Sequence, residues 1–168
     1  MIDSIQFCVN RYQLNEMQQN ATKWIQEVVS NETPFFSEAS LQLLGEQPQP
    51  KLKILFSVKC NKFYPPAFVA VNISNSMDIS IMQAIPTLTP VIIFDNKSKD
   101  YIIEIDIWGL IPSIYAISLW IGSHNTVTYD WQKNILQFEI IESPTTGRTF
   151  PHNSEHGYIV PHSVIKIL

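Results

Sequence analysis

A chain of 168 residues with a 45% hydrophobic fraction has the material for one packed domain, which excludes an intrinsically disordered chain. Only 15% of its residues are charged, against about 25% in an ordinary domain. A net charge of -4 leaves no broad basic surface, which argues against nucleic acid as a partner.

The basic cluster Lys51, Lys53, Lys59 and Lys62 reads as the solvated face of a strand. No apolar run reaches the length of about 18–20 residues that a membrane span needs, so direct membrane insertion is not expected. The opening MIDSIQFCVNRYQ has neither the basic start nor the apolar segment of a signal peptide. Of two cysteines, Cys8 falls in the leader and Cys60 closes a predicted strand. That usage implies no disulfide framework and fits a reducing, cytoplasmic setting.

In chain order, Leu14, Met17, Ala21, Trp24, Ile25 and Val28 recur at spacings of three and four, which predicts an amphipathic helix. SNETP then breaks the pattern, so residues 1–32 read as a leader or linker. Residues 33–168 read as a β-domain, because Val-, Ile- and aromatic-rich segments alternate with Pro, Asn, Ser and Gly. Strands are predicted over 35–44, 51–60, 67–73, 79–84, 90–95, 101–107, 114–121, 135–141 and 157–165. In KLKILFSVKC, Leu52, Ile54, Phe56 and Val58 share one face, opposite Lys51, Lys53, Ser57 and Lys59. In DYIIEIDIW, Ile103, Ile105 and Ile107 oppose Glu104 and Asp106. One dry and one wet face per strand predicts an all-β protein, an immunoglobulin-like antiparallel sandwich with a short helical leader. Tyr115, opening the strand in LIPSIYAISLWIG, reads as a corner tyrosine that bonds back to nearby backbone.

The residues of common catalytic devices are missing. There is no GxxxxGK[ST] phosphate loop and no GxSxG elbow. His152, His156 and His162 lie among Pro151, Gly157 and Pro161, which disfavour a helical zinc pair, and Cys60 reads as packed. The expectation is therefore no catalytic residue, no metal and no cofactor. A sugar surface fits better, because sugars offer apolar C–H faces ringed by hydroxyls and call for an exposed aromatic beside polar groups. Trp120 is the candidate aromatic, sharing the wet face with Ala116, Ser118 and Gly122. Gln137 and Glu139 on the next strand could pair alongside. The candidate glycan contacts are thus Trp120, Ser118, Gln137 and Glu139, with Asn72 and Gln83 as weaker additions. Tyr129 and Trp131 read as anchors following a turn, and Asp130 as the cap of that turn.

LIPSIYAISLWIG, TYDWQKNILQFEIIES and HGYIVPHSV together resemble the C-terminal carbohydrate-binding domain of the ATP-binding subunit of bacterial polysaccharide ABC exporters, those of O-antigen among them. The resemblance rests on Tyr115, on Tyr129-Asp130-Trp131, on Phe138-Glu139-Ile140 and on Gly157-Tyr158-Ile159-Val160. It spans residues 101–162 most clearly and extends back to about Phe35. It departs from the family pattern at Pro112-Ser113-Ile114, where a glycine usually precedes the tyrosine, and at Val164-Ile165-Lys166, where a closing tryptophan is usual. The resemblance implies a non-catalytic sandwich that recognises a polysaccharide before export. It implies a homodimer with exchanged terminal strands, with exporter nucleotide-binding and permease subunits as partners. It also implies a cytoplasmic place at the inner face of the membrane. The alternative is an immunoglobulin-like interaction or dimerisation module that touches protein through the Leu14, Met17, Trp24 and Val28 stripe.

Overall fold

A computed structural model describes residues 21–27, 33–86, 92, 98–123, 127–148 and 150–167. Two four-stranded antiparallel sheets face each other. The first has the order β1 (Lys23–Ile25), β2 (Phe35–Leu44), β3 (Lys51–Lys59), β6 (Lys99–Asp106). The second has the order β5 (Ser80–Ala84), β4 (Phe68–Ser74), β7 (Ser113–Gly122), β8 (Thr128–Ile140).

The alternation in the sequence sets which faces meet. Leu52, Ile54, Phe56 and Val58 of β3 are buried against Val71 and Ile73 of β4 and Tyr115, Ile117, Leu119 and Ile121 of β7 in one core cluster. Phe36, Phe56 and Tyr101 extend an aromatic column through it, with centroid spacings of 5.5 and 5.6 Å. Across β7 and β8, Tyr115 stacks on Phe138 at 5.3 Å. The Tyr115 hydroxyl donates to the Ile111 carbonyl at 2.8 Å, which is the expected corner bond at the start of β7. Burial, reinforced by the nearby Tyr158 phenol, pushes the Tyr115 phenol well above the ordinary tyrosine value. Cys60 is buried, its thiol against the Lys62 carbonyl.

Four expectations are corrected. The helical stripe lies mostly outside the described residues, but its Lys23–Ile25 part is strand β1, paired to β2 through Lys23 with Ser40, Trp24 with Ala39 and Ile25 with Glu38. β2 would otherwise leave its backbone groups unpaired on that side, and this demand overrides a local periodicity. The turn placed at 129–132 is not there, because β8 already begins at Thr128 and runs straight through those residues. Asp130 therefore caps no turn. It accepts a hydrogen bond from the Phe36 amide at 2.9 Å and another from the Gln132 side chain at 2.7 Å, clipping the second sheet to the first. Residues 157–165 form no strand: Ile159 makes an isolated bridge to Leu110, Val160 bonds Gly109, and residues 161–167 have no strand assignment. Of the strand expected at 90–95, Ile92 bridges Ala67, and the other residues lie outside the described ones.

Candidate functional site

The outward face of the second sheet is built by register. Ala70 pairs with Trp120, and Trp120 pairs with Trp131, so two indoles stand side by side across β7 and β8. One row along, Gln83, Asn72 and Ser118 align across β5, β4 and β7. Opposite Ser118 the pairing is irregular. Ile117 faces Leu136 and Leu119 faces Gln132, so Lys133, Asn134 and Ile135 share one position opposite Ser118. Asn134 has φ 51°, a left-handed conformation that asparagine tolerates better than most side chains. This bulge turns Asn134 onto the outer face, where bulges commonly re-aim side chains.

Asn134 then organises a polar network. Its amide oxygen accepts from Ser74 and Ser118 hydroxyls at 3.2 Å each, and its backbone N–H donates to Ser118 Oγ at 2.9 Å. Its amide nitrogen donates to Asp78 at 3.0 Å. Asp78 reaches the sheet because Asn75 ties the β4–β5 hairpin, accepting from the Met77 and Ile79 amides at 2.9 Å each. The result is a hollow of about 200 Å³ lined by Asn72, Ser74, Asp78, Ser80, Ser118, Trp131 and Lys133. Trp131 is half exposed, at 50%. The Lys133 ammonium lies 4.2 Å from its ring centroid, a cation–π contact worth about 0.5–1 kcal/mol at an exposed site. Asn72 has its oxygen engaged by Gln83 at 2.9 Å, which points its amide hydrogens elsewhere. An aromatic wall, amide and hydroxyl groups, one carboxylate and one ammonium together make a surface suited to a polyhydroxylated ring.

The four sequence candidates are dispersed over this side of the protein. Ser118 lines the hollow. Trp120 borders it through its pairing with Trp131, half-buried, with its indole N–H donating to Thr128 Oγ1 at 3.0 Å. Its ring lies along its own strand over Gly122, where an added Cβ would come within 2.4 Å of the six-membered ring. Gln137 is buried and Glu139 exposed, and both line a second hollow of about 230 Å³ with Thr22, Leu41, Leu43 and Phe138. There the Gln137 backbone N–H donates to the Ala21 carbonyl at 3.0 Å, where the N-terminal chain crosses from one sheet to the other. Sequence reasoning missed Asp78, Ser80, Lys133 and the organising Asn134, and gave Trp131 a purely structural part. His152 sits against Ser143 at 2.8 Å, away from this face. Among the described residues, no three His, Cys, Asp or Glu side chains gather where they could hold a metal, and no helix is long and apolar enough to cross a membrane.

Fold and hollow together define an immunoglobulin-like β-sandwich carrying a polar depression with an aromatic wall. Among solved structures it is similar to the crystal structure of the C-terminal domain of wzt, with a TM-score of 0.56 and 10% identity. The match covers 81% of this chain and 90% of that one, and at this identity it is a likeness of fold. The all-β sandwich implied by the late motifs is the one found. No protein-family profile and no curated protein matches the chain.

Proposed function

We propose that the chain is a non-catalytic carbohydrate-binding module that recognises a bacterial polysaccharide for ABC-transporter export. The carrying observation is the hollow between Trp131 and Asp78, an indole opposite fixed polar groups on the wet face of this particular sandwich. The fold likeness and the sequence resemblance support the same reading. In it, the module works as a homodimer beside nucleotide-binding and permease subunits, at the cytoplasmic face of the membrane. Trp120 and Ser118 extend the sugar platform along β7, and exposed Glu139 offers a polar contact at the separate hollow beside Thr22, where Gln137 is buried.

Affinity for one repeat unit should be weak, in the micromolar to millimolar range, because each exposed polar contact adds little net free energy. Titration of the protein with bacterial O-polysaccharides, followed by amide NMR, tests the reading. Trp131→Ala should weaken binding by about fivefold while leaving the spectrum of the core intact, since removing an aromatic stack costs on the order of 1 kcal/mol. Unchanged affinity in that variant would overturn the site. The competing reading, a dimerisation module without sugar binding, draws on the exposed apolar C-terminal residues Val164, Ile165 and Ile167. It would prevail if the protein pairs normally and no polysaccharide perturbs the second sheet.

A further inference from the structure

We infer that the glycan taken by this hollow carries a negative charge on or beside the ring that meets Trp131, a carboxylate of the hexuronic-acid kind. The inference rests on the glycan reading above and deepens it.

Lys133 occupies the space over the exposed indole, 4.2 Å from the ring centroid. It makes no ion pair with a carboxylate among the described residues, and the pair Lys51–Asp106 lies on the other sheet. A neutral sugar stacking on Trp131 must push that ammonium off the ring and gains nothing in exchange. A sugar bearing a carboxylate draws the ammonium toward its own charge, so the cation–π attraction gives way to a charge-assisted hydrogen bond, the stronger kind. The same indole thus discriminates by charge as well as by shape. The other charged group in the lining, Asp78, opposes an anion. It is held by the Asn134 amide, which fixes it as an acceptor for ring hydroxyls. The bulge sets Lys133 opposite Ser118 beside Asn134, so the hollow has a cationic end at the indole and an acceptor end at the hairpin. A carboxylated pyranose has this same asymmetry, one anionic substituent on a ring of hydroxyl donors.

An array of acidic bacterial polysaccharides, each presented in native form and after reduction of its carboxyl groups to primary alcohols, tests the inference with the intact chain. Retention on at least one native polymer, falling by about tenfold on its reduced counterpart, is the expected result. Lys133→Gln should remove that difference while the amide spectrum of the sandwich stays unchanged. Equal binding to native and reduced forms would overturn the charge inference and leave the glycan reading standing. Binding to no polymer in either form would overturn both. A preference that survives in Lys133→Gln would refute the role given to that side chain.

Discussion

Tyr115 serves the fold twice, because its ring fills the core while its hydroxyl closes the β7 corner on Ile111. Removing the hydroxyl in Tyr115→Phe leaves the Ile111 carbonyl without that donor, at a cost of about 1–2 kcal/mol in a denaturant titration. The same residue gives a pH signature. Its folded-state pKa lies above the ordinary value of about 10, so above that pH the unfolded chain releases a proton that the native protein retains. The stability contributed by keeping the phenol protonated is whole below pH ~10 and falls as pH rises beyond it. Wild type should therefore lose stability between pH ~9.5 and ~11.5 more steeply than Tyr115→Phe, measured as the difference in urea midpoint against pH. Parallel curves would rule out this coupling. Trp120 teaches a different lesson at the same scale. Its small neighbours read as an open shelf in the sequence, but Gly122 accommodates the ring of Trp120 itself.

At the scale of elements, β8 is the strand that makes the site, and its irregularity was invisible beforehand for a definite reason. Three residues stand opposite Ser118 where a regular ladder has one. Two extra residues preserve parity, so Trp131 and Lys133 stay in phase with Gln137 and Glu139, and Leu136, Phe138 and Ile140 still fall inward. In the sequence, however, the apolar positions change phase at this point, from Tyr129, Trp131 and Ile135 to Leu136, Phe138 and Ile140, so the strand reads as starting only at Ile135 and Asn134 falls before it. The faces of β3, β6 and β7 were legible because local alternation alone decides them. The neighbouring of Trp120 and Trp131 was not, since it depends on long-range register, and Asp130 was mistaken for a cap because its partner, Phe36, lies 94 residues away. The bulge makes its own prediction. Asn134→Gly keeps the left-handed backbone and removes only the side-chain network, whereas Asn134→Ala must also hold a Cβ at positive φ. The alanine variant should be less stable than the glycine variant by about 1 kcal/mol in urea unfolding. Both should weaken glycan binding, because Asp78 and Ser118 lose their common anchor. Equal stability of the two variants would mean that the strand relaxes to regular pairing without asparagine.

For the whole molecule, the unmet demand is at the C-terminal end. The segment after Ser154–His156 is fastened at Val160, whose amide donates to the Gly109 carbonyl at 2.8 Å, and at Tyr158, whose hydroxyl receives the Asn75 amide at 2.8 Å. Gly109 permits this docking, because a Cβ there would come within 2.4 Å of the Val160 carbonyl oxygen. Beyond Val160, Val164, Ile165 and Ile167 are 68%, 97% and 102% exposed. A single copy gains nothing from holding β-branched side chains in water, whereas a second copy offers sheet edges and apolar surface to receive them. The sequence resemblance implies a homodimer, and this exposed segment is the place to test for its contact between copies. Deleting residues 161–168 should then convert a dimer into a monomer without loss of the sandwich, because Tyr158 and Val160 still close the β7 corner. Sedimentation equilibrium on both forms, with the near-ultraviolet circular dichroism of Tyr115 and its aromatic neighbours as the control for folding, gives the answer. A full-length chain that sediments as a monomer, or a truncated one that remains a dimer, would place the contact between copies elsewhere. In that case the exposed face of the first sheet, where Leu55 and Ile102 pair across β3 and β6, is the surface to mutate next.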